Sequence, residues 1–178
     1  MAGAQTVSES RKNGSKKKTA KKAAGKSAAG PDAIKLLKDD HRQVEDWFEA
    51  FEKTNSASKK QKLATQICLA LTVHAQIEEE IFYPACREAG IEEDLMDEAD
   101  IEHDGAKKLI AEIEASQPGD DHYDARVTVL SEMIKHHVKE EEQRDGMFAK
   151  AKQSELDLKA IGAQLKARQN ELMKQMRQ

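Results

Sequence analysis

Four histidines and two glutamates have the residue types and the spacing that metal chemistry requires. His74 lies four positions before Glu78, and His137 lies four positions before Glu141. Residues four apart on a helix lie on the same face, so each histidine and its glutamate can reach one ion. The candidate ligands are His41, His74, Glu78, His103, His137 and Glu141.

Several imidazoles buried together cost free energy unless their nitrogens find partners, and a divalent cation can satisfy all of them in one place. Two carboxylates from two helices can bridge a pair of ions, and ligands that are all nitrogen or oxygen favour iron or manganese. Six ligands are too many for one tetrahedral zinc, and neither Cys68 nor Cys86 lies beside another candidate ligand. The pattern therefore predicts a two-metal site.

An alternative interpretation applies to the glutamates, because each belongs to a run of three acidic residues, 78–80 and 140–142. Such runs are usually solvated. Three consecutive residues of a helix point in three directions, so only the member four residues from the histidine shares its face. Glu78 and Glu141 are favoured as ligands for that reason.

The elements that must position these residues are predicted to be helices. In four segments, near 34–51, 63–84, 96–113 and 127–148, apolar residues recur at spacings of three and four, which is typical of a helix with one buried face. Each of these faces contains one of the four histidines. Asp32, after Pro31, is the expected cap of the first helix.

Short loops make successive helices antiparallel neighbours, and turn-forming residues occur at 55–58, 89–90 and 117–120. The histidines lie at similar distances from these turns, so all four rings are expected in one layer. The fold class predicted is all-α, an up-down four-helix bundle with a disordered Lys-rich N-terminal tail and an extra C-terminal helix. The predicted divisions are a tail at 1–30, the bundle at 31–150 and the C-terminal helix at 151–178.

Residues 1–30 differ from the rest in charge, with eight Lys or Arg against one acidic residue, Glu9. The remainder holds 21 basic and 32 acidic residues, a formal net charge of −11. The segment has too few bulky apolar residues to fold alone. A solubilising tail is favoured, and weak binding of nucleic acid or another polyanion is the alternative.

Two cysteines are too few for a disulfide framework, which favours a reduced, cytoplasmic setting. The sequence has no run of about 18 apolar residues, and its N-terminus has no apolar stretch after its charges. Neither secretion nor a membrane partner is expected.

The order of these motifs resembles the hemerythrin-like HHE cation-binding family. The resemblance rests on Asp40-His41, His74 to Glu78 followed by Phe82-Tyr83-Pro84, Glu102-His103, and His136-His137 to Glu141, and it spans about residues 33–150. It implies a pair of iron ions (Fe2+/Fe3+) that carboxylates and an oxo or hydroxo group bridge. It also implies that the six candidates are the metal ligands.

The sequence departs from the oxygen-carrying hemerythrins at one ligand, because these proteins have two histidines four residues apart on the third helix. The positions at that spacing from His103 are Ala99 and Lys107. The missing ligand weakens the interpretation as a reversible O2 carrier. Water can fill the position, or a nearby acid can replace the histidine. The acidic candidates are Glu45, Asp100 and Glu102.

The function expected from these features is a non-haem di-iron protein that binds or senses O2, NO or a related small ligand. A binding protein is favoured over an enzyme. The first alternative is a di-iron oxidase, peroxidase or ferroxidase. The second is an iron- or redox-responsive regulator whose basic tail binds nucleic acid. Nothing in the sequence suggests the oligomeric state.

Overall fold

The computed structural model describes residues 30–176, and these residues form an all-α fold without strands, which confirms the predicted fold class. The tail predicted to be disordered, residues 1–30, lies outside the described residues except for Gly30. The helices are α1 (Ala33–Glu52), α2 (Ala57–Ile77), a π-helical segment (Glu78–Phe82), α3 (Tyr83–Glu88), α4 (Glu93–Glu114), α5 (Tyr123–Glu142), α6 (Met147–Gln153) and α7 (Leu158–Gln175).

Four long units form the bundle, since α2, the π-helical segment and α3 follow one another without a loop. α1 packs against α2, and α4 packs against α5. Contacts between α2 and α4 and between α1 and α5 close the bundle. Helices that are adjacent in sequence are thus adjacent in space, as short loops require.

Local sequence determines where the helices begin and end. The Asp32 carboxylate accepts hydrogen bonds from the backbone N–H groups of Ile34 (3.0 Å) and Lys35 (3.3 Å), which confirms it as the cap of α1. Ser56 caps α2 in the same way, so α2 begins inside the turn predicted at 55–58. At the predicted turns at 89–90 and 117–120, Gly90 and Gly119 have positive φ angles of 75° and 104°.

The apolar core consists of two clusters, and the histidine of each bundle helix lies between them or at their border. One cluster includes Leu37, Phe82, Met96 and Phe148 at one end of the bundle. The other lies toward the opposite end and includes Phe48, Ile67, Ile110 and Leu130. The layer between them therefore holds the buried polar groups.

The end of the fourth helix differs from the prediction, which continued its apolar face to Phe148. α5 ends at Glu142, and the chain turns back at Gly146, where an added Cβ would lie 2.2 Å from the carbonyl oxygen of Glu140. This close approach needs glycine. The turn brings Phe148 against the His41 ring, with centroids 5.8 Å apart and planes 8° from parallel.

The C-terminal region contains two helices where one was predicted, because α6 ends at Gln153 and α7 begins at Leu158. The sequence left the packing partner of the last helix open. α7 packs against α1, α2 and the π-helical segment of its own chain. None of the described helices is both long and apolar enough to cross a membrane.

The contact between α7 and the start of α1 depends on Gly162. An added Cβ at Gly162 would lie 2.0 Å from the carbonyl oxygen of Pro31 and 2.7 Å from the backbone nitrogen of Ala33. Gly162→Ala is expected to destabilise the protein by about 1–3 kcal/mol, because rigid backbone must shift. Urea unfolding followed by circular dichroism measures the change.

Gly105→Ala is the matched control, since Gly105 is also helical but an added Cβ meets only the flexible Met133 methyl, at 2.9 Å. This variant is expected to lie within about 1 kcal/mol of wild type, because alanine favours helix. Equal stability of the two variants would show that the contact between α7 and α1 tolerates the extra methyl group.

Candidate metal centre

The structure brings together all six residues that the sequence singled out as ligands. They come from α1, α2, α4, α5 and the start of the π-helical segment, and none is more than 6% exposed. They form two groups that share Glu78. Within each group, the possible ligand atoms all lie within 4.8 Å of one another. The groups are His41, His74, Glu78 and Glu141, and Glu78, His103 and His137.

The histidines are paired through their Nε2 atoms, which all point inward. The Nε2 atoms of His41 and His74 are 3.0 Å apart, and those of His103 and His137 are 3.3 Å apart. One pair comes from the hairpin of α1 and α2, and the other from the hairpin of α4 and α5. Each hairpin therefore supplies one pair of nitrogen ligands.

The two glutamates lie between these pairs. Glu78 Oε2 is 3.3 Å from His74 Nε2 and 3.5 Å from His103 Nε2. Glu141 Oε2 is 3.5 Å from His41 Nε2 and 3.7 Å from His137 Nε2. Each carboxylate thus contacts one histidine of each pair, which is the placement that a bridging carboxylate needs.

The outward nitrogen of every histidine faces a second carboxylate. Carboxylates only accept hydrogen bonds when ionised, so each Nδ1 carries a proton, and each Nε2 can present a lone pair to a metal ion once it carries no proton itself. The Nδ1 to oxygen distances are 2.9 Å for His41–Glu142, 3.4 Å for His74–Asp40, 2.9 Å for His103–Glu79 and 2.8 Å for His137–Glu102.

These outer carboxylates follow a twofold pattern. Asp40 and Glu102 directly precede the first histidine of a hairpin, and each bonds the histidine on the next helix of that hairpin. Glu79 and Glu142 directly follow a central glutamate, and each bonds the first histidine of the other hairpin. None of these roles was predicted from the sequence, although an acid directly beside four of the six candidate ligands was the available signal.

The π-helical segment begins at Glu78, so the backbone departs from α-helical geometry at a central carboxylate. A π segment within a helix often marks a functional site. Pro84, two residues beyond the segment, lacks the N–H group that a continuous α-helix needs. That proline was the signal in the sequence for an irregular helix.

Burial and charge oppose each other at the centre. Burial raises the pKa of Glu78, but the charges of nearby histidines, His74 above all, lower it further, so its pKa lies below the usual value. Burial lowers the pKa of His137, yet Glu141 and Glu102 raise it to about 9. Without a metal, protons on histidine supply part of the positive charge that the carboxylates require.

Two fully buried oxygens at the centre, Glu78 Oε1 and Glu141 Oε2, have no hydrogen-bond partner among residues 30–176. Leaving such an atom unpaired is costly. Inward lone pairs from four imidazoles and two carboxylates repel one another unless positive charge lies among them. The residues present therefore fit a pair of divalent cations.

The spacing of Tyr83 from Glu78 in the sequence predicts a packing role, and the structure places its ring in the core and its hydroxyl at the centre. Its hydroxyl donates to Glu141 Oε1 at 3.2 Å and lies 3.4 Å from Glu78 Oε2. Burial and the two carboxylates hold the pKa of Tyr83 well above its usual value, so the hydroxyl stays a donor. Tyr83 combines the predicted packing with a polar contact to the site.

The structure places the three acidic replacements for the missing histidine outside both buried groups. Glu45 pairs with Arg42 at the surface, and Asp100 pairs with Arg87. Glu102 bonds the outward nitrogen of His137. Cys68 and Cys86 are free thiols away from the centre, and burial raises the pKa of each to about 12.

Comparison with known proteins points to the same kind of site. The family model described as the hemerythrin HHE cation binding domain matches residues 32–151. A crystal structure of a hemerythrin HHE cation-binding domain-containing protein from Mycobacterium kansasii is similar, with a TM-score of 0.66 and 22% identity over 80% of this chain and 87% of that chain. At this identity the likeness supports the fold alone.

A protein of Nostoc sp. named DNA nickase is 33% identical over 107 residues. The match covers 60% of this chain and 30% of that protein, so the chain spans less than a third of the relative's length. Its name describes a longer protein.

Removing the hydroxyl of Tyr83 should destabilise the metal-free protein, because a buried carboxylate loses a hydrogen bond. Tyr83→Phe is expected to cost about 1–3 kcal/mol. Tyr123→Phe is the matched control, since the Tyr123 hydroxyl is equally buried and has no partner among the described residues. The control should be neutral or slightly stabilising. Denaturant unfolding compares the two, and equal losses would contradict a role of the Tyr83 hydroxyl at the centre.

Proposed function

Because the chain belongs to the hemerythrin HHE cation-binding family, we propose that it is a non-haem di-iron protein whose buried centre binds or senses O2, NO or a related small ligand. One observation carries the proposal. Two pairs of histidines present inward nitrogens on either side of two buried carboxylates, each of which has an oxygen without a hydrogen-bond partner.

In this proposal His41 and His74 would hold one ion and His103 and His137 would hold the other, and Glu78 and Glu141 lie where they could contribute to both. Six nitrogen and oxygen ligands are too many for one tetrahedral zinc, and they suit a pair of iron ions. Two bound irons would supply reversible electron transfer and a coordination position for an external ligand. The outer carboxylates orient the histidines and make them more basic ligands.

An apolar cavity beside the histidines supports the choice of ligand. It offers about 20 Å³ to a small molecule, enough for one molecule of water size. All four histidines line it together with apolar residues that include Leu71, Ala106, Ile110, Ile134 and Val138. A diatomic molecule suits this space in size and polarity, whereas an organic substrate does not fit.

The third-helix positions that would carry a further histidine supply no ligand. Ala99 has no ligand atom, and the Lys107 ammonium donates to both oxygens of Glu79, at 2.7 and 2.9 Å. A bound ion would therefore have one more coordination position open to water or to an exchangeable ligand. This feature favours oxidase, peroxidase or ferroxidase activity as the second candidate function.

Metal content tests the proposal directly. Protein purified from iron-supplemented cells is expected to hold about two irons per chain, as six shared ligands imply. His74→Ala should lose most of this iron, because it removes one nitrogen of a pair. His122→Gln is the control, because it alters an exposed histidine in the turn before α5 that is not a candidate ligand. This variant should keep its iron. Elemental analysis of the three proteins gives the answer.

Wild-type protein without stoichiometric iron, after anaerobic reconstitution as well, would contradict the di-iron proposal. Equal iron in wild type and His74→Ala would show that the metal lies elsewhere. Both outcomes are measured as iron content, so they do not depend on any reaction at the centre.

Filling the apolar cavity should weaken ligand binding without loss of iron. Ala106→Val adds methyl groups at its wall, so the affinity of the reduced protein for NO is expected to fall about tenfold, corresponding to about 1.4 kcal/mol. Ala64→Val places the same change in the apolar cluster away from this cavity, and it should leave the affinity unchanged. Anaerobic optical titration with NO measures both.

Unchanged NO affinity in Ala106→Val with full iron content would mean that the ligand reaches the centre by another path. Sustained turnover of peroxide or ferrous ion by the wild-type protein would favour the enzymatic candidate over a binding role.

A further inference from the structure

A second cavity also reaches the centre. It differs from the apolar cavity because four glutamates line it. It offers about 60 Å³ and is lined by Glu98, Glu102 and Glu140 together with His137 and Glu141 of the centre. Glu98 is exposed and Glu141 is only 3% exposed. The cavity thus extends from the surface to the buried carboxylate.

Three side chains cluster beside this cavity. His136 Nε2 lies 3.5 Å from Glu102 Oε1 and 3.3 Å from Glu140 Oε1. Their possible ligand atoms lie within 4.8 Å of one another, and the side chains are 63%, 25% and 39% exposed for His136, Glu102 and Glu140. One imidazole and two carboxylates suit a hydrated divalent cation.

The acidic charge here is not neutralised by lysine or arginine as it is beside Glu79 and Glu142. Glu142 contacts Lys38 and Arg42, and Glu79 contacts Lys107. Within residues 30–176, Glu102 pairs only with histidines, and no lysine or arginine lines the acidic cavity. A negative potential therefore remains at its mouth, and such a potential draws in cations.

The inner end of the cavity reaches a carboxylate of the centre. Glu141, which lines it, has a buried Oε2 without a hydrogen-bond partner. Glu102 joins the two ends, because its Oε1 faces His136 while its Oε2 accepts from His137 Nδ1 at 2.8 Å. An ion that moves inward along this wall meets an unpaired carboxylate oxygen.

The twofold pattern of the bundle shows that this opening belongs to one hairpin. Val73 and Ile77 precede His74 and Glu78 as His136 and Glu140 precede His137 and Glu141. Val73 and Ile77 are 2% and 0% exposed, in the same apolar cluster as Leu165 and Leu172 of α7. In the first hairpin the counterparts of His136 and Glu140 are therefore apolar and buried, so they offer no ligand atoms to a cation.

From this geometry we propose that Glu102, His136 and Glu140 form a capture site for a divalent cation, from which the ion passes through the acidic cavity to His137 and Glu141. The inference rests on the proposed function, since it assumes that the buried centre holds metal. The capture site binds the ion weakly and transiently, because two of its three side chains remain open to water.

The experiment measures how fast metal enters. Metal-free full-length protein is mixed anaerobically with Co2+ or Fe2+ in a stopped-flow instrument, and the absorbance of the loaded centre is followed. The double variant His136→Gln/Glu140→Gln should load about tenfold more slowly than wild type, while the final metal content stays the same. Raising the ionic strength should slow wild type more than the variant.

His122→Gln/Glu132→Gln is the matched control, because it removes one exposed histidine and one exposed glutamate that do not line the cavity. It should load at the wild-type rate. Glu140→Lys is a second variant at the capture site, and it should load more slowly still because it adds a like charge.

Wild-type loading rates in both capture-site variants would overturn this inference alone, provided that wild type takes up its two ions. Lower final metal content in the double variant would also overturn it, because the residues would then support the centre at equilibrium. A wild-type protein that takes up no ion would overturn both the capture site and the proposed function.

Discussion

Two carboxylates buried between four histidines form the constraint on which the rest of the structure depends. Glu78 and Glu141 are 0% and 3% exposed, and each has an oxygen without a hydrogen-bond partner. Charges this deeply buried persist only when positive charge lies beside them. Around them the bundle divides its apolar core into two clusters, so the polar layer is shielded at both ends.

The polar layer is built from two similar helical hairpins. Each hairpin supplies a pair of inward nitrogens, a central carboxylate and two outer carboxylates, and the outer groups hold histidines of both hairpins. The surroundings break this symmetry. α7 covers the first hairpin through Val73 and Ile77, and Gln169 of α7 donates to Asp40 at 2.7 Å. The His74–Asp40 contact is also the longest of the four.

Much of this could be predicted from sequence because periodicity and spacing report directly on helix faces. The all-α bundle, the cap at Asp32 and the six residues that the structure brings together followed from those patterns. The outer carboxylates did not, since Glu79 and Glu142 lie in acidic runs that look solvated. Their role depends on which neighbouring helix each one faces, and that is decided by tertiary packing.

The end of the fourth helix and the position of α7 were not predicted, because they too depend on tertiary packing. A turn at Gly146 depends on how closely the chain returns to the carbonyl oxygen of Glu140, a contact that no local pattern records. α7 has few apolar residues, so its packing could not be inferred from its own sequence. Its placement matters for the site, because it packs over Val73 and Ile77, the residues of the first hairpin that correspond to His136 and Glu140.

If the centre holds metal and a small ligand as proposed, the two cavities would divide access to it by polarity. The apolar cavity meets the four histidine rings, where an uncharged diatomic molecule loses little hydration on entering. The acidic cavity meets His137 and Glu141, where a cation exchanges water for carboxylate oxygens along its path. The lining of the apolar cavity has no carboxylate to replace the water that a cation would lose on entering it. A metal ion and a diatomic ligand would then reach the centre by separate routes. Entry of the metal ion would not require the apolar cavity to open.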